Sequence, residues 1–324
     1  MATTATLETI EPTSKALAAL DLAAVGEYVE ASLSPNTRRA YRSALADFSA
    51  WCEARELSAV PALPECVAVY VAELAGAGRS VSTITQRLAA IRWAHELAGV
   101  ESPTGAKGVR ATMQGIRRSL GVAPRSQKSP ATSGRIAAMV AHADTSSIKG
   151  KRDRALLLLG FALAARRSEL VALDLADIEQ TERGLLVTIR RSKTDQSGAG
   201  LVKAVPMGST PETCPVAALA EWIEAAGIDD GAVFRSVTRH ERIGDRLTAR
   251  SVAAVVKQYA QRAGLDPAEF AGHSLRAGFV TSAAERGARL DRIADHTGHR
   301  SLAMVRVYTR RSDAFTDHAG EGLL

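Results

Sequence analysis

The chain has 324 residues, which on the usual size of domains suggests about two domains. Lys and Arg number 41 against 35 Asp and Glu, and the resulting net charge of +6 favours a polyanionic partner. Aromatic residues make up only 4% of the chain, which argues against a protein that mainly stacks unpaired bases, so duplex nucleic acid fits better.

Two further features exclude common classes of protein. The longest apolar run, Ala155 to Ala165, is shorter than the roughly 20 residues that cross a bilayer, so no transmembrane helix is expected. The acidic N-terminus does not suit a signal peptide. The cysteines are widely spaced without a C-x-x-C pair, and we interpret them as free thiols in a reducing cytoplasm: Cys52, Cys66 and Cys214.

The first half of the chain predicts helices. Residues 1–20 are rich in Thr, Ala and Glu and are expected to be loose. Ser34-Pro35 is typical of a helix start, and apolar residues follow it at helical spacing. A second helix is predicted from about Ser82 to a stop at Gly99, with Ser82 and Gln86 on its outward face. The simplest interpretation of such outward groups is a solvated surface.

The second half predicts a mixed α and β unit. Residues 121–134 contain Pro, Gly, Ser and basic residues without an apolar period and are interpreted as a linker. Residues 153–173 predict one apolar helix interrupted by charged residues. Residues 184–190 and 201–206 predict a hairpin with its turn near residues 195–198. Further helices are predicted at 215–226, 248–263 and 274–287.

Charged residues inside the predicted apolar helix are costly to bury unless they are paired or have a function. Arg166 and Glu169 are three residues apart and could form a structural ion pair. Arg276 provides a second guanidinium, and two guanidiniums together can bind the non-bridging oxygens of a phosphate. His273 lies three residues before Arg276 and can accept or donate a proton near neutral pH.

A histidine and a tyrosine near the end of the chain complete this set. His299 is followed nine positions later by Tyr308. Two arginines, two histidines and a tyrosine suit the attack of a phenol on a phosphodiester, which indicates DNA as substrate and Tyr308 as nucleophile. His296 and His299 also permit a metal-site interpretation, but no H-E-x-x-H motif or cysteine ligand supports it.

These motifs resemble those of the tyrosine recombinases of the phage integrase family, and of its two-domain, Cre-type members most. The match runs from Leu33 to Arg311, with Arg167 at a position where isoleucine is more usual. Five motifs occur in the family's order: R-R-S-E-L, R-R-S-K-T, G-H-S-L-R, G-H and V-Y-T-R.

The resemblance implies a mainly α fold. Residues 1–20 would be a flexible N-terminus and residues 21–120 a helical, SAM-like core-type DNA-binding domain. Residues 121–134 would be a linker, and residues 135–324 an α+β tyrosine-recombinase catalytic domain with a small β-hairpin or sheet. Few residues precede the first helix, so we expect no additional arm-binding domain.

The resemblance also implies the mechanism. Tyr308 would attack the scissile phosphate, forming a 3′-phosphotyrosyl bond and freeing a 5′-hydroxyl, without metal, ATP or other cofactor. Lys193 would protonate the leaving 5′-oxygen, His273 would assist proton movement at the tyrosine, and Glu169 would orient its neighbours. The groups expected to stabilise the phosphorane are Arg166, Arg276 and His299.

The implied partner is double-stranded DNA carrying inverted-repeat recombination sites, two of which would be held by a homotetramer, with no membrane partner. The protein would belong to a mobile element and lie in the cytoplasm with the bacterial nucleoid. The resemblance places four residues near DNA: Arg39, Ser82, Gln86 and Arg250. A run of four arginines before Arg250 is interpreted as a solvated basic loop that contacts phosphates: Arg235, Arg239, Arg242 and Arg246.

Two alternatives remain open. A type IB topoisomerase would use the same nucleophile and arginines to relax DNA as a monomer. A DNA-binding regulator would have no need of Tyr308 and Lys193. Formation of a covalent DNA adduct separates the regulator from both enzymes, and dependence on a defined site separates the two enzymes.

Overall fold

The computed structural model describes residues 33–122, 128–190, 200–299 and 301–309. The chain divides into two compact units, residues 1–125 and 126–324. Both are mainly helical, and small antiparallel sheets occur in the second, as predicted. No helix in the described part of the chain is long and apolar enough to cross a membrane.

The first unit is built from helices around one core. Helix α1 begins as predicted, because the Ser34 hydroxyl accepts a hydrogen bond from the Thr37 amide at 3.2 Å. The core includes Phe48, Tyr70 and Ile91, all nearly inaccessible to solvent. The helices are α1 (Pro35–Glu53), α2 (Pro64–Gly76), α3 (Val81–Leu97) and α4 (Lys107–Leu120).

The second unit packs its helices around α6, which is buried over most of its length. Its core includes Leu157, Trp222 and Phe270, and the Trp222 indole donates to the Val233 carbonyl at 2.8 Å. The helices are α5 (Ser133–Val140), α6 (Ile148–Ala162), α7 (Arg167–Ala172), α8 (Pro215–Ala226), α9 (Ala249–Arg262), α10 (Ser274–Glu285), α11 (Leu290–Thr297) and α12 (Leu302–Thr309).

The second unit contains an antiparallel sheet in which neighbouring strands follow one another in the chain. The predicted hairpin is confirmed by β2 (Gly184–Ile189) and β3 (Leu201–Pro206), with Gly184 opposite Pro206 and Ile189 opposite Leu201. The turn predicted near residues 195–198 lies outside the described residues. Strand β1 (Ile178–Thr181), which pairs with β2, was missed by the sequence analysis.

The prediction of one helix over residues 153–173 was wrong. Helix α6 ends at Ala162, the chain turns, and α7 begins at Arg167. Ala164 in this turn has φ 47°, a left-handed conformation that ends a right-handed helix. Arg166 therefore lies at the start of a helix and not within one.

The prediction of a solvated basic loop over residues 235–246 was also wrong. Strands β4 (Arg235–Val237) and β5 (Ile243–Arg246) pair antiparallel there. The Arg246 guanidinium donates to the Val171 and Leu173 carbonyls at 2.9 and 3.2 Å, and Arg235 donates to the carbonyls of two nearby loop residues. Arg235 and Arg246 are thus fixed by backbone carbonyls, whereas Arg239 and Arg242 lie in the exposed connection between β4 and β5.

Candidate active site

Arg166 caps the start of α7 and is held by Glu169. The Arg166 guanidinium donates to one Glu169 carboxylate oxygen at 2.5 Å, and the Arg166 amide donates to the other at 2.9 Å. The Glu169 side chain is 3% exposed and that of Arg166 20%. Arg167 is exposed and lies along Gly272, so of the two adjacent arginines it is Arg166 that is paired and partly buried.

Arg276 lies in the first turn of α10 and is 1% exposed. Its Nη1 donates to the Ala164 carbonyl at 3.0 Å and its Nη2 donates to His299 Nε2 at 3.1 Å. A buried guanidinium is tolerated only when its N–H groups have acceptors, and the turn after α6 provides one of them. Arg276 thus links that turn to the histidine that follows α11.

The hydrogen bonds of His299 define its tautomer. A guanidinium can only donate, so Nε2 accepts from Arg276 and Nδ1 carries the proton. That Nδ1 donates to the Thr297 hydroxyl at 2.6 Å, and Thr297 in turn donates to the Ile293 carbonyl at 2.6 Å. Desolvation, and then the charges of Arg276 and Arg166, lowers the pKa of His299 to about 4, so the ring is neutral at pH 7.

His273 lies at the start of α10 and is exposed. Partial desolvation of its ring, followed by the charges of Arg276 and Arg166, lowers its pKa. Arg276 is hydrogen-bonded to His299, and the charges of both arginines act on His273 and His299, so we group these four residues as one cluster. The lowered pKa keeps the His273 ring unprotonated near neutral pH, which a proton acceptor requires, although the two cations make it a weaker base.

His296, for which a metal-site interpretation was considered above, contacts Phe279 and the end of α6. Its ring stacks on Phe279 with centroids 4.7 Å apart, and its Nε2 is 2.8 Å from the Ala162 carbonyl, to which it donates. Burial is the main cause that lowers its pKa. Over the described ranges, no group of three His, Cys, Asp or Glu residues is placed to hold a metal ion.

Lys203 belongs to this cluster and was missed by the sequence analysis. It lies on β3, is 3% exposed, and donates from Nζ to the Leu163 carbonyl at 2.7 Å. Burial, and then the charges of Arg276 and Arg166 against an opposing effect of Glu169, lowers its pKa to about 8. Alternation along β3 was the available signal, because Lys203 shares the inward face with the buried Val205.

Two expected catalytic residues cannot be placed in this cluster. Lys193 lies outside the described residues. The backbone of Tyr308 is part of α12, but its side chain is outside the described part of the structure. Helix α12 is anchored through Val305, which is fully buried in a small cluster with Val280 and Ile293.

The residues expected to contact DNA are exposed. Arg39 lies on α1, and Ser82 and Gln86 lie one turn apart on α3. Arg250 is the second residue of α9 in the other unit, at the helix N-terminus where arginines often reach DNA.

Comparison with known proteins identifies the class. The model of the phage integrase family matches residues 132–314, and that of the phage integrase N-terminal SAM-like domain matches residues 28–98. The chain therefore belongs to the phage integrase family, and it is a tyrosine site-specific DNA recombinase.

Relatives and solved structures agree with this assignment. Over 295 residues the chain is 38% identical to the integrase/recombinase xerD homolog of Selenomonas ruminantium, covering 90% of this chain and 86% of the relative. It is 25% identical over 303 residues to recombinase cre of Escherichia phage P1, covering 88% and 87%. The fold is similar to that of XerH site-specific recombinase in a post-cleavage complex with palindromic difH, with a TM-score of 0.61, 17% identity, and 85% and 76% covered.

Proposed function

We propose that this recombinase cuts and rejoins DNA through a 3′-phosphotyrosyl intermediate at paired inverted-repeat sites. The observation that carries the proposal is the cluster in which Arg166 and the buried Arg276 lie beside two histidines whose pKa values are lowered. Concentrated positive charge at fixed positions is what a phosphorane requires, because charge accumulates on its non-bridging oxygens. Tyr308, on the helix that follows His299, is the proposed nucleophile.

Each remaining residue has a proposed task. His273 would accept the phenolic proton of Tyr308; its lowered pKa keeps the ring unprotonated and ready to accept near neutral pH, and also makes it a weaker base than an ordinary histidine. Lys193 would give a proton to the leaving 5′-oxygen. Glu169 would orient Arg166 through the paired hydrogen bonds at the start of α7.

His299 would change its bonding when DNA binds. Its Nε2 accepts from Arg276 in the structure. A phosphate that takes over the Arg276 N–H group would leave Nε2 facing an anion, and a nearby anion raises the pKa of a histidine. The ring would then gain a proton and donate it as a hydrogen bond to a non-bridging oxygen, while Thr297 keeps Nδ1 in place.

Binding would use both units. The first unit would act as the core-type DNA-binding domain through the exposed Arg39, Ser82 and Gln86. Arg250, at the start of α9, would reach the major groove and read a base. A homotetramer would hold two sites, as recombination between two duplexes requires. A DNA substrate of this kind would place the protein with the nucleoid in the cytoplasm, as part of a mobile element.

The direct test is covalent trapping with the Tyr308→Phe variant. The probe is a pool of nicked duplexes with a randomised segment beside the nick, from which covalent adducts are isolated by denaturing gel and sequenced. The unmodified protein should form adducts enriched in one inverted-repeat half-site, and Tyr308→Phe should bind the enriched duplex but form none. An adduct from the Phe variant would exclude Tyr308 as nucleophile.

Other outcomes of the same selection would indicate one of the two alternative functions. Adducts without sequence enrichment, together with relaxation of supercoiled plasmid, would indicate a topoisomerase. Binding without any adduct would indicate a regulator. Strand exchange between two duplexes carrying the enriched site would then test recombination itself.

A further inference from the structure

Three carbonyls at the end of α6 are bound by three basic side chains from distant elements. His296 of α11 donates to Ala162, Lys203 of β3 donates to Leu163 at 2.7 Å, and Arg276 of α10 donates to the Ala164 carbonyl at 3.0 Å. We name the segment of residues 162–164 the carbonyl turn. It ends two residues before Arg166.

The position of the carbonyl turn explains why basic groups gather there. The last carbonyls of a helix have no partner within the helix, and the helix dipole places partial negative charge at that end. Helix α6 is 15 residues long and buried, so water cannot easily satisfy these groups. Donors from β3, α10 and α11 satisfy them instead, and the charges of Lys203 and Arg276 complement the dipole.

We propose that Lys203 and His296 are positioning residues that fix the carbonyl turn and thereby place Arg166 against the scissile phosphate. This inference rests on the proposed function. Arg166 follows the turn directly and is tied to it by short backbone, so a shift of the turn must move the guanidinium. A displacement of a catalytic group by about 1 Å can lower the reaction rate about 100-fold.

The Lys203 ammonium group is already committed to another contact and is not available to the leaving group. Its Nζ is directed to the Leu163 carbonyl, and its side chain is almost fully buried. Its charge is balanced by Glu169, the residue that also holds Arg166. Glu169 holds Arg166 directly, and Lys203 would act on the same arginine through the carbonyl turn, which distinguishes Lys203 from a proton donor such as Lys193.

The first experiment measures single-turnover cleavage of the duplex recovered by the selection described above. Lys203→Met keeps the length of the side chain but loses its charge and donor, and it should slow cleavage by about 100-fold with little change in DNA affinity. Lys203→Arg, which keeps both, should restore most of the rate. Lys149→Met, the same change at an exposed position of α6, should have no effect.

A sulfur substrate separates positioning from proton donation. When the leaving 5′-oxygen is replaced by sulfur, the departing thiolate needs no proton. A thiol has a pKa of about 8.5, so the thiolate is a stable leaving group. Lys203→Met should stay slow on this substrate. If sulfur restores its rate, Lys203 is a proton donor and the proposal is wrong.

A double-mutant cycle tests whether both residues act through Arg166. His296→Phe keeps an aromatic ring against Phe279 and removes the donor to Ala162, so it provides a folded variant even if Lys203→Met unfolds. Either change should slow the unmodified protein but have less than about a threefold effect in an Arg166→Ala background, because residues that act through one group are not additive. Full additivity would overturn the proposal, whereas absence of any adduct from the unmodified protein would overturn the proposed function instead.

Discussion

The paired hydrogen bonds between Glu169 and Arg166 make Glu169→Gln a sharp test of the site. The carboxylate accepts from the Arg166 guanidinium and from the Arg166 amide, and its side chain is 3% exposed. A glutamine has only one oxygen, so its amide nitrogen must face one of these two donors. One buried donor is then left unsatisfied, at a cost of about 1–3 kcal/mol.

The assay is urea unfolding of the second unit. In a Trp51→Phe, Trp93→Phe background, Trp222 is the remaining tryptophan of the sequence and reports this unit alone. With a slope of about 2 kcal/mol per molar urea, a loss of about 2 kcal/mol lowers the midpoint by about 1 M. Glu179→Gln, the same change on an exposed strand position, should leave the midpoint unchanged.

Cleavage should respond to Glu169→Gln as well. At temperatures well below unfolding, the single-turnover rate should fall at least about tenfold, because Arg166 loses the partner that orients it. A Glu169→Gln protein with an unchanged midpoint and an unchanged rate would refute the role assigned to these hydrogen bonds.

Three further changes test the packing, the DNA interface and the titration of the site. Gly278→Ala would place a Cβ 1.8 Å from the Ala131 carbonyl oxygen, so it should destabilise the unit by about 1–3 kcal/mol or more in urea unfolding, whereas Gly134→Ala meets no atom within 4 Å and should not. Arg250→Ala should lose about 1–3 kcal/mol of affinity for the selected duplex and relax its preference at one position; equal weakening on random duplex would make it a phosphate contact. Because the pKa of His299 is lowered in the folded protein, the unfolded chain takes up that proton first, so stability that is present above pH 6.5 is lost as pH falls toward about 4. That loss, followed by urea unfolding at each pH, should be smaller in His299→Asn.

Local patterns were sufficient to predict much of the fold. Ser34-Pro35 predicts the start of α1 because both residues act on the first turn alone. The pairing of β2 with β3 follows from short apolar runs on either side of a predicted turn. The resemblance of five short motifs then identified the family, and the family model matches residues 132–314.

What could not be predicted depends on contacts between distant residues. The break after Ala162 has no glycine or proline to mark it, and Ala164 adopts φ 47° in a turn that side chains from β3, α10 and α11 hold. Strands β4 and β5 were missed because their sequence is polar and carries no local strand pattern. Arg246 of β5 is held instead by the carbonyls of Val171 and Leu173, which are distant in sequence. Lys203 was missed because a lysine on a strand is ordinarily assigned to the surface.

The sequence distances across the carbonyl turn have a consequence for synthesis of the protein. Its three hydrogen bonds join residues separated by 40, 112 and 134 positions. Contacts of this separation form late, because long loops must close first. A nascent chain would carry Arg166 long before α11 emerges to complete the turn that places it. A chain truncated before α11 would lack the third hydrogen bond of the turn and also Tyr308, the proposed nucleophile, so it would leave DNA uncut even where its first unit had already bound.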